Sequence, residues 1–311
     1  MKIIAQMDEI SAIDITKDST FAILLEAQNL GHEIYYYLPQ TLSLEENTLK
    51  ANIHKIKLQN KIGDHVDILE TNFVDITNYD ILLVRQDPPF DMNYITSTYL
   101  LEKVKDKIKI INDPSEIRNC PEKIFVTDFV NFIPPTLISA DLNSIKNFKN
   151  KYEEIILKPL YGCGGEGINF LGKNDKNIDE IVKLMLEEYK TPIVIQKFIK
   201  EVKNGDKRIL LLNGEFLGAV NRVAKEGEVA SNFHVGGTAH KTTLTKREEQ
   251  ICQKIGPELK KRGLIFVGID VIGDYVTEIN VTSPTGIQEI NRLENSKIET
   301  EIIKFFEETC Y

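Results

Sequence analysis

Short apolar runs alternate with amphipathic stretches along the first third of the chain. Runs of strand length occur at residues 2–6, 34–37, 79–85 and 108–112. Between the first two runs, Asp18, Ser19 and Thr20 offer caps for a helix that continues to Asn29 and is closed by Gly31. Strands that alternate with helices predict an α/β domain with a mainly parallel sheet, and such sheets bind ligands beyond the carboxyl ends of their strands. Because Arg85 and the Pro-Pro loop after it fall at this edge, we expect them to contact substrate.

A glycine-rich segment at residues 161–168 marks the middle third of the chain. It holds four glycines in six residues, and it follows an apolar strand, residues 155–159, that carries Lys158 near its end. Glycines allow the backbone to approach a ligand closely and to direct N–H groups at phosphate oxygens. The spacing matches neither a P-loop nor a dinucleotide fingerprint, because the lysine precedes the glycines. The segment predicts a loop that covers phosphate groups, although a flexible hairpin turn would look the same.

The pattern of the remaining chain predicts a hairpin, a long loop and further helices. An apolar strand with a polar interruption covers residues 192–199, and Asn213-Gly214 joins two apolar runs into a hairpin that carries Arg208 and Arg222. Residues 223–238 hold three glycines without apolar periodicity, which is typical of a long loop that closes over a site as a lid. A linker is predicted at residues 134–136, and helices are predicted to begin at residue 122 and to cover residues 245–262 and 296–310.

The last apolar hairpin, residues 266–280, carries three polar residues in an otherwise apolar pattern. They are Asp270, Glu278 and Asn280. Carboxylate and amide oxygens are costly on a buried sheet face unless something binds them. Because Mg²⁺ prefers one or two carboxylates together with phosphate oxygens, the hairpin indicates a phosphate-bearing substrate held through a metal. Three polar residues on a solvent-facing strand surface would give the same pattern.

The register of this hairpin decides whether the three polar side chains meet. Glu278 and Asn280 share a face in any register, because side chains alternate along a strand. A regular two-residue turn would pair Asp270 with Thr277 and would place Glu278 on the opposite face. A bulge or a three-residue turn would instead pair Asp270 with Glu278. A metal site therefore requires one extra residue in the hairpin.

Length, charge and composition limit the class of protein. A chain of 311 residues suits two or three compact units and buries a sizeable core. The net charge of −9 argues against a general nucleic-acid binder, and no apolar run has the length of a membrane span. We expect residues 1–8 to form a first strand and not a signal peptide. The four cysteines are scattered without metal-type spacing, and we interpret them as reduced thiols of a cytoplasmic protein.

Several segments together resemble one group of enzymes. The order of a lysine with a glycine-rich loop, a basic hairpin, a lid and an acid followed by Glu-x-Asn is similar to that of the ATP-grasp superfamily. Within this superfamily the chain resembles the prokaryotic glutathione synthetases over nearly its whole length. The Asp-Pro-Pro-Phe-Asp segment is more specific to that family than the Glu-x-Asn motif. The segments that carry the resemblance are residues 17–22, 87–91, 205–208, 263–270 and 277–285.

The resemblance implies an N-terminal Rossmann-like parallel-sheet domain followed by a two-lobed ATP-grasp fold. The implied ranges are 1–121 for a substrate-binding domain, 122–198 for a central lid subdomain and 199–311 for a catalytic subdomain. The family joins γ-glutamylcysteine to glycine: ATP phosphorylates the peptide carboxylate, the amine attacks the acyl phosphate, and phosphate leaves. This reaction needs positioned reactants, neutralised charge and exclusion of water. The implied cofactors are ATP and Mg²⁺, with Mn²⁺ as an alternative metal.

The resemblance also implies roles for individual residues, although it assigns no general base. The nucleotide would be bound by Lys123, Lys158, Gly162, Gly164, Gly165, Gln196, Lys197, Phe198, Ile199 and Asp206. The metal ligands would be Asp270, Glu278 and Asn280. The peptide and glycine would be surrounded by Arg85, Asn232, Ser283 and Thr285, with Arg208 and Arg222 as catalytic residues.

One position departs from the family pattern. Family members usually carry an arginine two residues before the asparagine that aligns with Asn232, and this chain has Ala230 there. The departure leaves open another ATP-grasp carboxylate–amine ligase with a different peptide, or a nucleotide-binding sensor without turnover. The intact set of Asp270, Glu278 and Asn280 favours an enzyme. The implied partners are small-molecule substrates and further copies of the chain in a homo-oligomer, without nucleic acid or membrane.

Overall fold

Strands and helices follow one another throughout the computed structural model, which describes residues 1–162, 164–224 and 237–310. The strands are β1 (Lys2–Gln6), β2 (Glu33–Tyr37), β3 (Ser43–Glu45), β4 (Thr48–Leu58), β5 (Val66–Asp75), β6 (Ile81–Val84), β7 (Lys109–Ile111), β8 (Thr136–Ser139), β9 (Ile155–Pro159), β10 (Asn169–Leu171), β11 (Ile193–Lys197), β12 (Asp206–Leu212), β13 (Glu215–Val223), β14 (Thr238–Lys241), β15 (Phe266–Ile272) and β16 (Tyr275–Asn280). The helices are α1 (Ser19–Asn29), α2 (Met92–Glu102), α3 (Pro114–Asn119), α4 (Glu122–Phe125), α5 (Leu142–Tyr152), α6 (Ile178–Tyr189), α7 (Lys246–Lys261), α8 (Ile287–Glu294) and α9 (Glu299–Cys310).

The first sheet has a parallel centre and an antiparallel extension. Its strand order is β3-β4-β2-β1-β6-β7, with β5 on the other edge of β4. The predicted parallel sheet is confirmed for β2, β1, β6 and β7, and Asp18 caps α1 as expected by accepting from the N–H of Phe21. The prediction of a mainly parallel sheet is wrong for β3, β4 and β5, which pair antiparallel. Exposed positions fill most of β5, so its sequence has no alternating apolar pattern that would predict a strand.

The second sheet is antiparallel and is covered on one face by two helices. Its order is β10-β9-β11-β8. Side chains of α5 and α6 pack with those of β9 and β11 in a separate core, which includes Ile145, Val182, Leu157 and Ile195. The linker predicted at residues 134–136 is too long by one residue, because Thr136 already belongs to β8 and pairs with Gln196 of β11.

The third sheet, in the order β14-β13-β12-β15-β16, carries the polar hairpin. Helix α7 packs on one face through Ile251, Ile255 and Leu259, together with sheet residues such as Ile209 and Ile269. Because side chains alternate along a strand, residues 208, 270, 278 and 280 project from the opposite face. The sheet therefore has one apolar face under α7, whereas its opposite face carries these polar positions beside apolar residues such as Leu210 and Val220, which share a core with Ile287 and Ile290 of α8.

The register of the polar hairpin contains the extra residue that a metal site requires. Asp270 pairs with Glu278, and Gly268 pairs with Asn280. On the turn side of Asp270 the register shifts, so that Val271 pairs with Val276. This bulge places the three polar side chains on one face, and the condition derived from the sequence is confirmed.

The two C-terminal helices pack on α1, and α8 also packs on β13 and β14 of the third sheet, where Ile290 approaches Gly218. Phe21 and Leu24 of α1 share a core with Ile302, Ile303 and Phe306 of α9. The final helix begins at residue 299, three residues later than predicted. Domain boundaries at residues 121 and 198 stay a prediction.

Two further expectations concern the cysteines and the membrane. Cys120, Cys252 and Cys310 are free thiols, whereas Cys163 lies outside the described residues. Burial raises the pKa of Cys120 and of Cys252 to about 12, so neither is a reactive thiolate. Over the described ranges, no helix combines the length and the apolar character that crossing a membrane requires.

A glycine pair permits α7 to approach the third sheet. A Cβ atom on Gly256 of α7 would overlap the carbonyl oxygen of Gly214 in the turn between β12 and β13.

We expect Gly256→Ala to lower the free energy of unfolding by about 1–3 kcal/mol, even though alanine favours a helix by about 1 kcal/mol. Urea unfolding measures this change. The control is Gln253→Ala on the exposed side of the same helix, which should stay within about 0.5 kcal/mol of the parent. A Gly256→Ala variant as stable as the parent would show that the contact is not restrictive.

Candidate active site

A buried ion cluster forms where β12, β13 and β15 lie near one another. Asp270 accepts two hydrogen bonds from the guanidinium of Arg208, one of them at 2.9 Å between Nη2 and Oδ2. Its Oδ2 also lies 3.0 Å from Nη2 of Arg222, which donates to Oδ2 of Asp206 at 2.8 Å. All four side chains are buried. Two arginines and two aspartates balance in charge, which makes their burial tolerable.

The two aspartates of the cluster have opposite pKa shifts. Burial alone would raise the pKa of Asp270, but Arg208 and Arg222 outweigh it and hold this pKa well below its ordinary value. Burial raises the pKa of Asp206 to about 6, with Arg222 opposing the rise and the carboxylate of Asp270 reinforcing it. Asp270 is therefore an anion at neutral pH, fixed in orientation by its partners.

Glu278 meets cations from two other elements on the same face. Its Oε1 lies 3.7 Å from Nζ of Lys123 on α4 and 3.7 Å from Nζ of Lys158 on β9. Asn280, two residues further along β16, donates from Nδ2 to Oδ2 of Asp270 at 3.4 Å. Glu278 thus marks the place where the second and third sheets face each other, and the predicted lysines and metal ligands are brought together there.

The glycine-rich loop closes back on Lys123. The carbonyl oxygen of Gly162 accepts from Nζ of Lys123 at 2.5 Å, and Glu122 accepts from the same ammonium group. Gly164 and Gly165 have φ values of 66° and 85°, a conformation that other residues rarely adopt. The loop therefore lies beside the lysines, where a phosphate-covering loop is expected.

The strand predicted to line the nucleotide contributes one buried side chain to the face that carries Lys158. Gln196 of β11 lies opposite Ile156, which shares a face with Lys158. Its Nε2 donates to Oγ1 of Thr136 at 3.1 Å. The exposed or half-buried residues that follow it are Lys197, Phe198 and Ile199.

Arg85 joins the first sheet to the segment after β16. It directly follows β6, and its Nη2 donates to the carbonyl oxygen of Pro284 at 3.0 Å. Its own carbonyl oxygen accepts from Oγ of Ser283 at 3.1 Å. Nη1 of Arg208 donates to the carbonyl oxygen of Thr285 at 3.2 Å. The segment that holds the predicted substrate residues Ser283 and Thr285 is therefore hydrogen-bonded to both arginines.

The oxygens on one face of the hairpin fit a hard cation. Asp270 and Glu278 offer two carboxylates and Asn280 offers an amide oxygen, the kind of set that Mg²⁺ accepts when phosphate oxygens complete its ligands. Across residues 1–162, 164–224 and 237–310, no three His, Cys, Asp or Glu side chains form a cluster that could hold a metal ion. A phosphate beside the two nearby lysines would supply further oxygen ligands to a cation at this hairpin.

Most of the predicted lid lies outside the described residues. Residues 225–236, which include Ala230 and Asn232, belong to this undescribed part. The flanking strands β13 and β14 pair with each other, with Val223 opposite Thr238. The predicted lid therefore starts and finishes at adjacent positions of the third sheet, and its ordering by ligands stays a prediction.

Two side chains near the site were not expected from the sequence. Asn112, directly after β7, donates to the carbonyl oxygens of Phe266 and Val281 at 2.9 and 2.8 Å and accepts from the N–H of Phe266 at 2.8 Å. It fastens the first sheet to the polar hairpin. Glu122 has a pKa that burial raises and Lys123 opposes. The only signals in the sequence are the strand end at Asn112 and the lysine next to Glu122.

Solved structures confirm the α/β fold with an ATP-grasp part. The D-cycloserine synthetase DcsG superimposes with a TM-score of 0.69 at 12% identity, over 98% of this chain and 99% of that one. A RimK domain protein ATP-grasp from Sphaerobacter thermophilus has a TM-score of 0.63 at 13% identity, over 98% and 99% of the two chains. At such low identity these likenesses establish the fold alone.

Family models and curated relatives agree on a narrower group. The model described as "Prokaryotic glutathione synthetase, N-terminal domain" matches residues 1–118, and "Prokaryotic glutathione synthetase, ATP-grasp domain" matches residues 122–295. The glutathione synthetase of Brucella melitensis is 49% identical over 96% of this chain and 96% of its own. That of Buchnera aphidicola subsp. Schizaphis graminum is 41% identical over 100% of this chain and 98% of its own. The chain therefore belongs to the prokaryotic glutathione synthetase family.

Proposed function

We propose that this chain is an ATP-dependent ligase that joins γ-glutamylcysteine to glycine and forms glutathione, ADP and phosphate through an acyl phosphate. The observation that carries the proposal is the convergence of Lys123 and Lys158 on Glu278, directly opposite the arginine-bound Asp270, in a chain of this family. Two lysines from separate elements beside paired carboxylates suit the phosphates of a nucleotide and their cation.

ATP is bound between the second and third sheets in this proposal. Lys123 and Lys158 contact its phosphates, and the glycine-rich loop covers them. The shared sheet face of Lys158 and Gln196 supports this placement, because a nucleotide lying along that face would reach both side chains. The residues that bind the nucleotide are Lys123, Lys158, Gly162, Gly164, Gly165, Gln196, Lys197, Phe198, Ile199 and Asp206.

Mg²⁺, with Mn²⁺ as an alternative, is held by Asp270, Glu278 and Asn280. When bound, the cation offsets charge on the phosphate oxygens and orients them toward the hairpin. Two features of the chain position the proposed metal ligands. Arg208 and Arg222 keep Asp270 ionised and fixed, and the bulged register places Glu278 opposite Asp270.

The carboxylate substrates are bound on the side of the site nearest the first sheet. When the amine attacks the acyl phosphate, negative charge develops on the carbonyl oxygen, and the guanidinium groups of Arg208 and Arg222 offset it. The hydrogen bond of Arg208 to Thr285 supports this placement, because it fixes the predicted substrate segment beside the ion cluster. The residues around the peptide and glycine are Arg85, Asn232, Ser283 and Thr285.

Three broader features also stay predictions for this chain. They are the division at residues 121 and 198, assembly into a homo-oligomer and a cytoplasmic location. Small-molecule substrates agree with membership of a family of biosynthetic ligases.

Strict dependence on both substrates is the first test. We expect the purified protein to release ADP only when γ-glutamylcysteine and glycine are both present, because the amine must consume the acyl phosphate for turnover to continue. A coupled ADP assay with mass spectrometry of the tripeptide measures this, and omission of each substrate is the control. Turnover only with other acyl and amine pairs would establish the second candidate, a ligase with a different peptide, which the departure at Ala230 leaves open. Nucleotide binding without any turnover would indicate a sensor.

Glu278→Gln tests the proposed metal site. We expect turnover to fall at least about 100-fold and the half-saturating Mg²⁺ concentration to rise, because an amide replaces a charged ligand. Circular dichroism and urea unfolding should show an intact fold. Glu301→Gln, an exposed change of the same kind on α9, should match the parent. Parent-like turnover and Mg²⁺ dependence in a folded Glu278→Gln variant would refute the assignment.

Asp270→Asn tests the ion cluster apart from catalysis. We expect the free energy of unfolding to fall by about 3–5 kcal/mol, because two buried guanidinium groups lose their shared anion. Chemical denaturation without nucleotide measures this loss. The matched change Asp274→Asn, at the exposed turn of the same hairpin, should have little effect. Equal stability of the two variants would contradict a structural role for the cluster.

A further inference from the structure

Two buried polar atoms at the carboxyl edge of the first sheet have no hydrogen-bond partner among the described residues. They are Nη1 of Arg85 and the hydroxyl of Tyr94. The two residues are only 6% and 1% exposed. Buried polar groups are nearly always paired in native proteins, so each exception calls for a physical reason.

The surroundings of Arg85 leave one of its guanidinium nitrogens unused. Nε donates to Oγ1 of Thr20 and Nη2 donates to the carbonyl oxygen of Pro284, both at 3.0 Å. The guanidinium also lies over the ring of Phe266, 5.5 Å from its centroid. These contacts fix the group in place, so that the direction of Nη1 is set before any ligand arrives.

Tyr94 is positioned with the same rigidity. Its N–H donates to Oδ1 of Asp91, the cap of α2, at 2.9 Å. Its ring lies 5.1 Å from that of Phe90, and one turn later Ser97 accepts from Gln6 at the end of β1. This face of α2 therefore lies along the carboxyl edge of β1 and β6, where Arg85 begins the loop that leads to α2.

The unused atoms are both hydrogen-bond donors in a ligand-binding location. The carboxyl edge of a parallel sheet is where ligands of such folds bind. Burial raises the pKa of Tyr94 well above its ordinary value, with Arg85 opposing the rise, so the phenol keeps its proton at neutral pH. A guanidinium N–H and a neutral phenol O–H together suit a carboxylate, which only accepts hydrogen bonds.

We propose that Arg85 and Tyr94 form a subsite for the carboxylate of the acyl substrate that is not phosphorylated, the α-carboxylate of its γ-glutamyl residue. The inference rests on the proposed function. It makes Tyr94 a specificity-determining residue for the peptide, a role that its sequence context does not indicate.

The position of the subsite agrees with the two ends of the dipeptide. The reacting carboxylate must reach the phosphate near Lys123 and Lys158. Arg85 and Arg208 donate to neighbouring carbonyl oxygens of one segment, those of Pro284 and Thr285. A dipeptide bound across this segment would place its reacting end at the ion cluster and its far carboxylate at the first sheet.

Tyr94→Phe is the direct test, because it removes only the unpaired hydroxyl. We expect the KM for γ-glutamylcysteine to rise about tenfold, while kcat and the KM values for ATP and glycine stay within twofold. The melting temperature without ligands should not fall, because no hydrogen bond is lost. Tyr37→Phe is the matched control: its hydroxyl donates to Oε1 of Gln6 at 2.8 Å, so it should lower the melting temperature and leave the KM for the peptide unchanged.

A substrate analogue supplies the second arm of the experiment. The α-carboxamide of γ-glutamylcysteine should be a poor substrate for the parent, and Tyr94→Phe should add little to that defect. An unchanged KM for the normal dipeptide in Tyr94→Phe, equal discrimination against the carboxamide in both proteins, or an effect on glycine alone would each overturn the inference. These results are distinct from a failure of the proposed function, in which the parent itself forms no tripeptide.

Discussion

The buried carboxylate of Asp270 is the interaction on which the arrangement of the site depends. An ionised carboxylate in the interior is destabilising by several kcal/mol unless cations and hydrogen bonds accompany it. Here the accompanying groups are Arg208 of β12 and Arg222 of β13, and Asp206 completes a neutral set. Because these charges sit on neighbouring strands, a slip of one residue in any of them would turn a charge toward the apolar face under α7. The ion cluster therefore fixes the register of the third sheet.

The register of the third sheet in turn sets the contacts between sheets. The bulge after Asp270 brings Glu278 to the same face, where lysines from α4 and β9 approach it. On the other side, Asn112 and Arg85 fasten the first sheet to the hairpin and to the segment that follows it. Packing of α9 against α1 strengthens this connection, because the last helix and the first share one core. Groups for the nucleotide, the cation and the peptide thus meet at one place.

The parts of the fold that sequence predicts well are those with a local signal. The cap at Asp18, the strand at Lys2–Gln6 and the turn at Asn213-Gly214 each rest on a few adjacent residues. The three polar residues of the hairpin at 266–280 also stand out in its apolar sequence. The alternation of side chains along a strand is enough to derive which register a metal site requires. The bulge itself could not be read from the chain, because the same residues also allow a regular two-residue turn without it.

Most features that the sequence did not predict depend on contacts between residues far apart in the chain. One depends on a hydroxyl group that lacks a hydrogen-bond acceptor. Arg208 and Arg222 were expected to face substrate, and no pattern indicates that they bind Asp270, which follows more than forty residues later. Asn112 joins the first sheet to the polar hairpin only because the end of β7 packs beside Phe266 in the folded chain. Most residues of β5 are exposed, so its sequence lacks the alternation of apolar and polar residues that predicts a half-buried strand. Tyr94 looks like an ordinary core tyrosine until its hydroxyl is seen to lack an acceptor.

The central claim is that ATP activates a carboxylate as an acyl phosphate beside this hairpin. Transfer of oxygen from the substrate to phosphate tests it most directly. γ-Glutamylcysteine labelled with ¹⁸O in its cysteinyl carboxylate should yield phosphate that carries one ¹⁸O atom per turnover, because the carboxylate oxygen attacks the γ-phosphorus and leaves with it. Phosphate without label, formed together with the tripeptide, would contradict the acyl-phosphate route and with it the account of the site.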